Sequence, residues 1–417
     1  MKEVSKYLID FVKSNFIHKK SKYWKSQNTM FSTPFIKNVF SKIKDADTQW
    51  LKTKDTIVIK NIDFKKDGLP KGAYYEHLND NIRMLLETSE KIGKQYMFSI
   101  GEQQISIFII YPFSKDDPVM SVSQKKADLY FMNCLHKCYL WLYMASQERQ
   151  NQCSQQMNIY LYLSELHKLL PEESETILED IHANTAFTTS CIPSTCIHLF
   201  REEEWFKVFI HESFHCLGFD FSHSPHLSEY SKRKVLELFP VKSDVNLFET
   251  YCEIMAELYN IFFFVYLENP TIENIQHIIK RVTELFLYEK IFSIFQCVKV
   301  LNHFGMKYHN LYSNDKESIS LRRHMYKEKT NILAYYILKS IMISNMEGFL
   351  QWTETHNNGG YKFIETEENL DAYIHIITSH YKSNMYLNNI KIMETWFLEH
   401  GDSWALENRT MRLSVIE

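Results

Sequence analysis

Apolar and polar positions alternate only in a few short stretches of the first half of the chain, whereas from about residue 226 onward apolar residues recur at helical spacing. Residues 56–62 (TIVIKNI) predict a strand. Residues 96–100 and 104–111 predict a hairpin around Gly101-Glu102-Gln103, where glycine supplies an unusual backbone angle. Residues 123–146 read as one long helix, apolar on most sides, that backs the sheet. Residues 158–163 (NIYLYL) predict another strand, and residues 182–190, with their Thr and Phe content, a short edge strand. Residues 191–199 read as a loop. Residues 205–221 (WFKVFIHESFHCLGFDF) follow as the central stretch, whose helix has apolar residues nearly all round, which predicts burial. Arg201-Glu202-Glu203-Glu204 places acids at its start, where the helix dipole favours them, and Gly218 suits its end.

Beyond residue 226 the periodicity predicts helices over 226–238, 244–267, 271–301, 317–344, 366–379 and 382–399, with Asn357-Asn358-Gly359-Gly360 as the clearest turn. Residues 1–55 read as short amphipathic helices and polar loops. The expected fold is α+β: a small, mostly antiparallel sheet, a buried helix after it, then a helical C-terminal lobe. The expected parts are 1–55, 56–225 and 226–417.

Composition supports a helix-rich globular chain, since 417 residues hold only 10 Gly and 9 Pro at 45% hydrophobic content. The abundance of Phe and Tyr, beside frequent Ile, Lys and Asn, also follows what AT-rich codons encode. A net charge of -4 supplies no global field for nucleic acid, so none is expected as a partner. Residues 1–60 nevertheless carry 13 Lys against 5 acids, a basic lobe that is either solvated or docks a partner. The eight cysteines form no C-x-x-C pair, which leads to an expectation of reduced thiols and a cytoplasmic location. The first residues lack the continuous apolar run of a signal peptide, and the longest apolar run, at 261–267, is too short to span a membrane.

Chemistry concentrates in His211-Glu212-Ser213-Phe214-His215. On a helix, a separation of four puts both histidines on one face, where two imidazole nitrogens can converge on one Zn²⁺. Glu212, beside the first histidine, then stands where a general base faces a water activated by that metal. Two imidazoles and a carboxylate in an apolar helix need partners, and the plainer alternative to a metal is a core helix with hydrogen-bonded histidines.

A catalytic zinc wants a third protein ligand. Glu249, Glu253 and Glu257 recur every four residues along one face of the 244–267 helix. With His211-Glu-Ser-Phe-His215, the stretch Glu253-Ile-Met-Ala-Glu257 resembles the gluzincin class of zinc metallopeptidases, whose second helix carries Glu-x-x-Ala-Asp; Glu257 replaces the Asp. The resemblance implies Glu253 as third ligand and Glu257 as the group that holds a ligand histidine, with Glu249 as ligand and Glu253 as its support in a rival register. A metzincin-like completion would use His223 or His226, because Phe221 stands where that class has its third histidine. The resemblance further implies an edge strand around Asn184 and Ala186 that binds substrate backbone; the developing oxyanion would also need a donor opposite the metal, for which His226, Tyr230 and Tyr259 are candidates. It implies a soluble zinc-dependent peptidase acting on peptide or protein substrates. The run WFKVFIHESFH also looks like uncharacterised metallopeptidase-like proteins of large DNA viruses, which would imply a virion or viral factory. The alternative is an inactive structural or assembly protein with a stapling zinc or none.

Overall fold

The computed structural model describes residues 1–18, 24, 31–113, 124–150, 152–174, 176–401 and 403–417. The chain forms two compact units, one of Lys37–His167 with Thr185–Phe219, the other of Met1–Ile36, Lys168–Asn184 and Asp220–Glu417. The boundaries differ from those expected near 55 and 225. Aromatic packing accounts for the division of the N-terminal stretch: Trp50 stacks on His136 in the first unit, while Phe11 packs on Phe295 and Trp396 in the second. Lys19, Lys20, Lys22 and Lys25, which carry part of the expected basic lobe, lie outside the described residues.

The first unit holds a six-stranded sheet in the order β1-β2-β3-β4-β6-β5, formed by β1 Val58–Asn61, β2 Glu90–Ile100, β3 Gln103–Phe113, β4 Gln156–Tyr162, β5 Ala186–Thr188 and β6 Ser194–Leu199. The expected hairpin is β2 and β3, longer than its apolar core suggests. Ile100 pairs with Gln103, so the turn is Gly101-Glu102 alone, with Gly101 at φ 58°. The sheet is mixed and not mostly antiparallel at its centre, where β3, β4 and β6 run parallel. Parallel neighbours need a crossover, and the helix Gln124–Ser146 lies between β3 and β4 in sequence. Ser123, the expected start of that helix, lies outside the described residues.

Residues 191–199 are not a loop throughout, since β6 occupies most of them. Thr195 to Leu199 are all buried, so no alternation marks the strand. One sheet face presents Ile105, Ile107, Ile159 and Ile197, with Phe98 against Tyr139 of the Gln124–Ser146 helix. The other carries a ladder of stacked rings, Phe108–Tyr160–His198–Phe187, with centroids 4.7 to 4.9 Å apart. His198 Nε2 donates to the Ala73 carbonyl at 2.9 Å, and burial lowers its pKa to about 4, so the ring is neutral.

The HESFH helix, Trp205–Leu217, is buried along its whole length and packs on β5, β6 and the Gln124–Ser146 helix. Trp141 stacks on Phe214 and donates to Ser213 Oγ at 2.6 Å. The acids before it are taken by side chains: Glu202 accepts from Tyr130, Glu203 meets His167 and Glu204 meets Lys207. Its C-terminus is closed by Gly218 at φ 72°, whose N–H bonds His215 O while Phe219 N–H bonds Phe214 O. Ser154 Oγ donates to Cys216 O, and Gln150 Nε2 to Gly218 O. Cys153 in the same loop is disulfide-bonded to Cys191, so the expectation that all eight thiols are free fails for these two. The pairing joins two loops separated by 38 residues, which no sequence motif marks.

The second unit is helical. Pro225–Leu238, Leu247–Glu268, Ile275–His303, Glu367–His380 and Asn384–His400 match the expected helices. The expected 317–344 helix is broken into Lys316–His324, a π-helical segment Leu333–Leu338 and Lys339–Ser344. The break has a competitor for its backbone groups, because Leu178 bonds Lys327 O and Lys329 N–H. Among the described residues no helix is long and apolar enough to cross a membrane.

Gly218→Ala tests how firmly the HESFH helix is closed. The new Cβ would lie 2.9 Å from Cys153 Sγ at a left-handed backbone angle. A loss of about 1–3 kcal/mol is expected, read as a lower denaturant midpoint; an unchanged midpoint would show the cap to be unconstrained.

Candidate metal centre

His211 and His215 lie one turn apart on the HESFH helix and are 4% and 9% exposed; Glu212 is 8% exposed. Their Nε2 atoms are 3.3 Å apart and their rings meet at 72°. That separation is long for a hydrogen bond between two nitrogens. It equals the edge of a zinc tetrahedron, since nitrogens at about 2.0–2.1 Å from one zinc lie about 3.3–3.4 Å apart. The donor set therefore fits a zinc ion by geometry and by chemistry. Two anchors fix it: Trp141 holds Ser213 between the histidines, and the glycine cap follows His215.

The acidic row lies in the helical unit, on the helix Leu247–Glu268. Glu253 and Glu257 are buried and share the buried ammonium of Lys339, which is 3.2 Å from Glu253 Oε1 and contacts Glu257 Oε2. Lys339 also donates to Leu413 O at 2.6 Å. Burial works to lower the Lys339 pKa, but the carboxylates of Glu257, Glu253 and Glu289 outweigh it and hold the group above its ordinary range. Glu249, only part-buried, accepts from the neutral Tyr335 hydroxyl at 3.0 Å. The three glutamates thus differ in a way their regular spacing conceals.

The remaining candidates are placed as follows. His223 Nε2 is 2.9 Å from Glu365, whose hydrogen bond raises the imidazole pKa and favours a proton where a metal ligand needs a lone pair. His226 is exposed and 3.4 Å from Glu367. Tyr230 donates to Asp371 at 2.8 Å. Tyr259 is buried, edge-on to Phe262 and Tyr361. Asn184 ends the short helix Asp180–Ala183, with its N–H on Asp180 O and its side-chain oxygen accepting from Thr330. Ala186 begins β5, which ends the sheet. Thr185 O accepts from Phe200 N–H just past β6 and Thr189 N–H donates to Cys196 O within it, which by antiparallel alternation turns the backbone groups of Ala186 and Thr188 to the outer edge.

Sequence spacing missed Tyr335 and Lys339. Each lies 86 residues from the glutamate it contacts, and only the lysine, as a charge in an apolar run, carried any signal. Comparison with family models, with curated proteins and with solved structures finds no match to this chain.

Proposed function

We propose that the protein is a zinc-dependent metallopeptidase in which His211 and His215 bind the metal and Glu212 is the general base. The observation that carries this reading is the 3.3 Å approach of the two Nε2 atoms with Glu212 next in sequence to His211. Zinc held there would supply Lewis acidity toward a peptide carbonyl and acidify a water. Glu212 would take the water's proton during attack on the carbonyl carbon and return it to the leaving amine. The backbone groups of Ala186 and Thr188 would align an extended substrate by strand addition. The third ligand would come from the row on Leu247–Glu268. The Lys339 contacts of Glu253 and Glu257 favour Glu249, because a carboxylate ion-paired to a buried ammonium would have to share or give up that contact to bind a cation.

A structural zinc site would not require a base, so Glu212→Gln separates an enzyme from a zinc-stapled scaffold. The variant is expected to keep its zinc and melting temperature while cleavage of an unbiased peptide library falls about 10²-fold to 10⁴-fold. Cleavage that survives both the substitution and a chelator would sink the proposal.

The third ligand is tested by zinc titration of single variants. Glu249→Ala is expected to weaken zinc binding far more than Glu253→Ala, whose main effect should be on stability because it strips a partner from buried Lys339. The reverse order would restore Glu253 as ligand, and an effect of His223→Ala alone would point to the metzincin-like completion.

A further inference from the structure

We infer that Tyr335 is a positioning residue that orients the carboxylate of Glu249 for metal binding. The inference rests on the zinc reading above and on contacts made wholly within the helical unit. Two stretches of that unit face each other through a ladder of polar contacts. Ser243 donates to Glu328, Asn246 Nδ2 to Asn331 Oδ1 at 3.0 Å, Tyr335 to Glu249 Oε2 at 3.0 Å, Thr250 Oγ1 to Ala334 O at 3.2 Å, and Lys339 to Glu253 at 3.2 Å. The rungs are not equivalent. Below Glu249 the acids meet a buried ammonium, whereas Tyr335 and Glu249 are both part-buried and the donor between them is a hydroxyl.

Tyr335 lies in the π-helical segment Leu333–Leu338, a rare geometry that recurs at functional sites. The segment is itself anchored, since the Leu333 N–H bonds Glu328 Oε2 at 2.8 Å and Tyr336 OH donates to Met411 O at 2.7 Å. The phenol is therefore held on both sides in sequence. A glutamate has a broad terminal torsion, and a fixed donor on one oxygen settles which way the other points. A hydroxyl performs this without neutralising the charge that a cation needs, which Lys339 would do. Hydrogen bonds of this kind to ligating carboxylates are worth about 10-fold to 100-fold in metal affinity.

The experiment is zinc titration of full-length protein against a chromophoric chelator, for wild type, Tyr335→Phe, Glu249→Gln, the double variant and Asn246→Ala. Tyr335→Phe is expected to weaken zinc binding about 10-fold to 100-fold at an unchanged melting temperature, and to add nothing to Glu249→Gln in the double variant. Asn246→Ala, which breaks the neighbouring rung, is expected to leave zinc affinity at the wild-type value. Equal affinity of wild type and Tyr335→Phe overturns this inference alone. So does an additive double variant, or a loss in Asn246→Ala as large as that in Tyr335→Phe, since either would mark a general structural role. Absence of zinc binding by wild type overturns the zinc reading and this inference together.

Discussion

Burial of the helix Trp205–Leu217 along its entire length is the constraint on which the sheet unit depends. Thirteen residues without a solvated face must each find a partner, and the apolar ones find it against β5, β6 and the Gln124–Ser146 helix. Polar positions are harder to satisfy, because an unpaired buried polar group costs about 1–3 kcal/mol. Ser213 is met by Trp141, Lys207 by Glu204, and the Cys216 carbonyl by Ser154. These contacts hold the backbone of the helix on either side of the histidines. The two Nε2 atoms are brought together by their one-turn separation on this helix.

The helical unit meets a different difficulty, a cluster of charges in a core. Glu253, Glu257, Glu289 and Lys339 are all buried, and a buried cation with several acids is tolerable only when each lone pair and proton is engaged. The final residues supply that engagement: Leu413 O accepts from Lys339, while Val415 and Ile416 donate their N–H groups to Glu289. Burial raises the Glu289 pKa, and the Lys339 charge and those donors act in the opposite direction.

Sequence periodicity was a good guide where one face of an element meets a core and the other does not. The β2–β3 hairpin and the helix Pro225–Leu238 are of this kind, and the His-x-x-x-His spacing is a local property of one helix. It failed where burial is two-sided or partners are remote. Thr195 to Leu199 form a strand buried throughout, so β6 showed no alternation. The break between His324 and Leu333 follows from pairing with Leu178, far away in the chain. Cys153 and Cys191 pair through loops that carry no motif.

The acidic row shows why spacing alone could not rank candidate ligands. Helical periodicity makes Glu249, Glu253 and Glu257 equivalent by construction, since each step of four repeats the same face. What distinguishes them is the opposing segment, whose own periodicity is altered by the π turn at Leu333–Leu338. Through that altered turn a phenol meets the first carboxylate, and the following ammonium meets the other two. A neutral donor leaves a carboxylate its charge and fixes its direction, whereas a buried ammonium shared by two carboxylates offsets part of theirs. The chemical character of each glutamate is thus set by a residue on another element, and a motif read along a single helix carries no record of it.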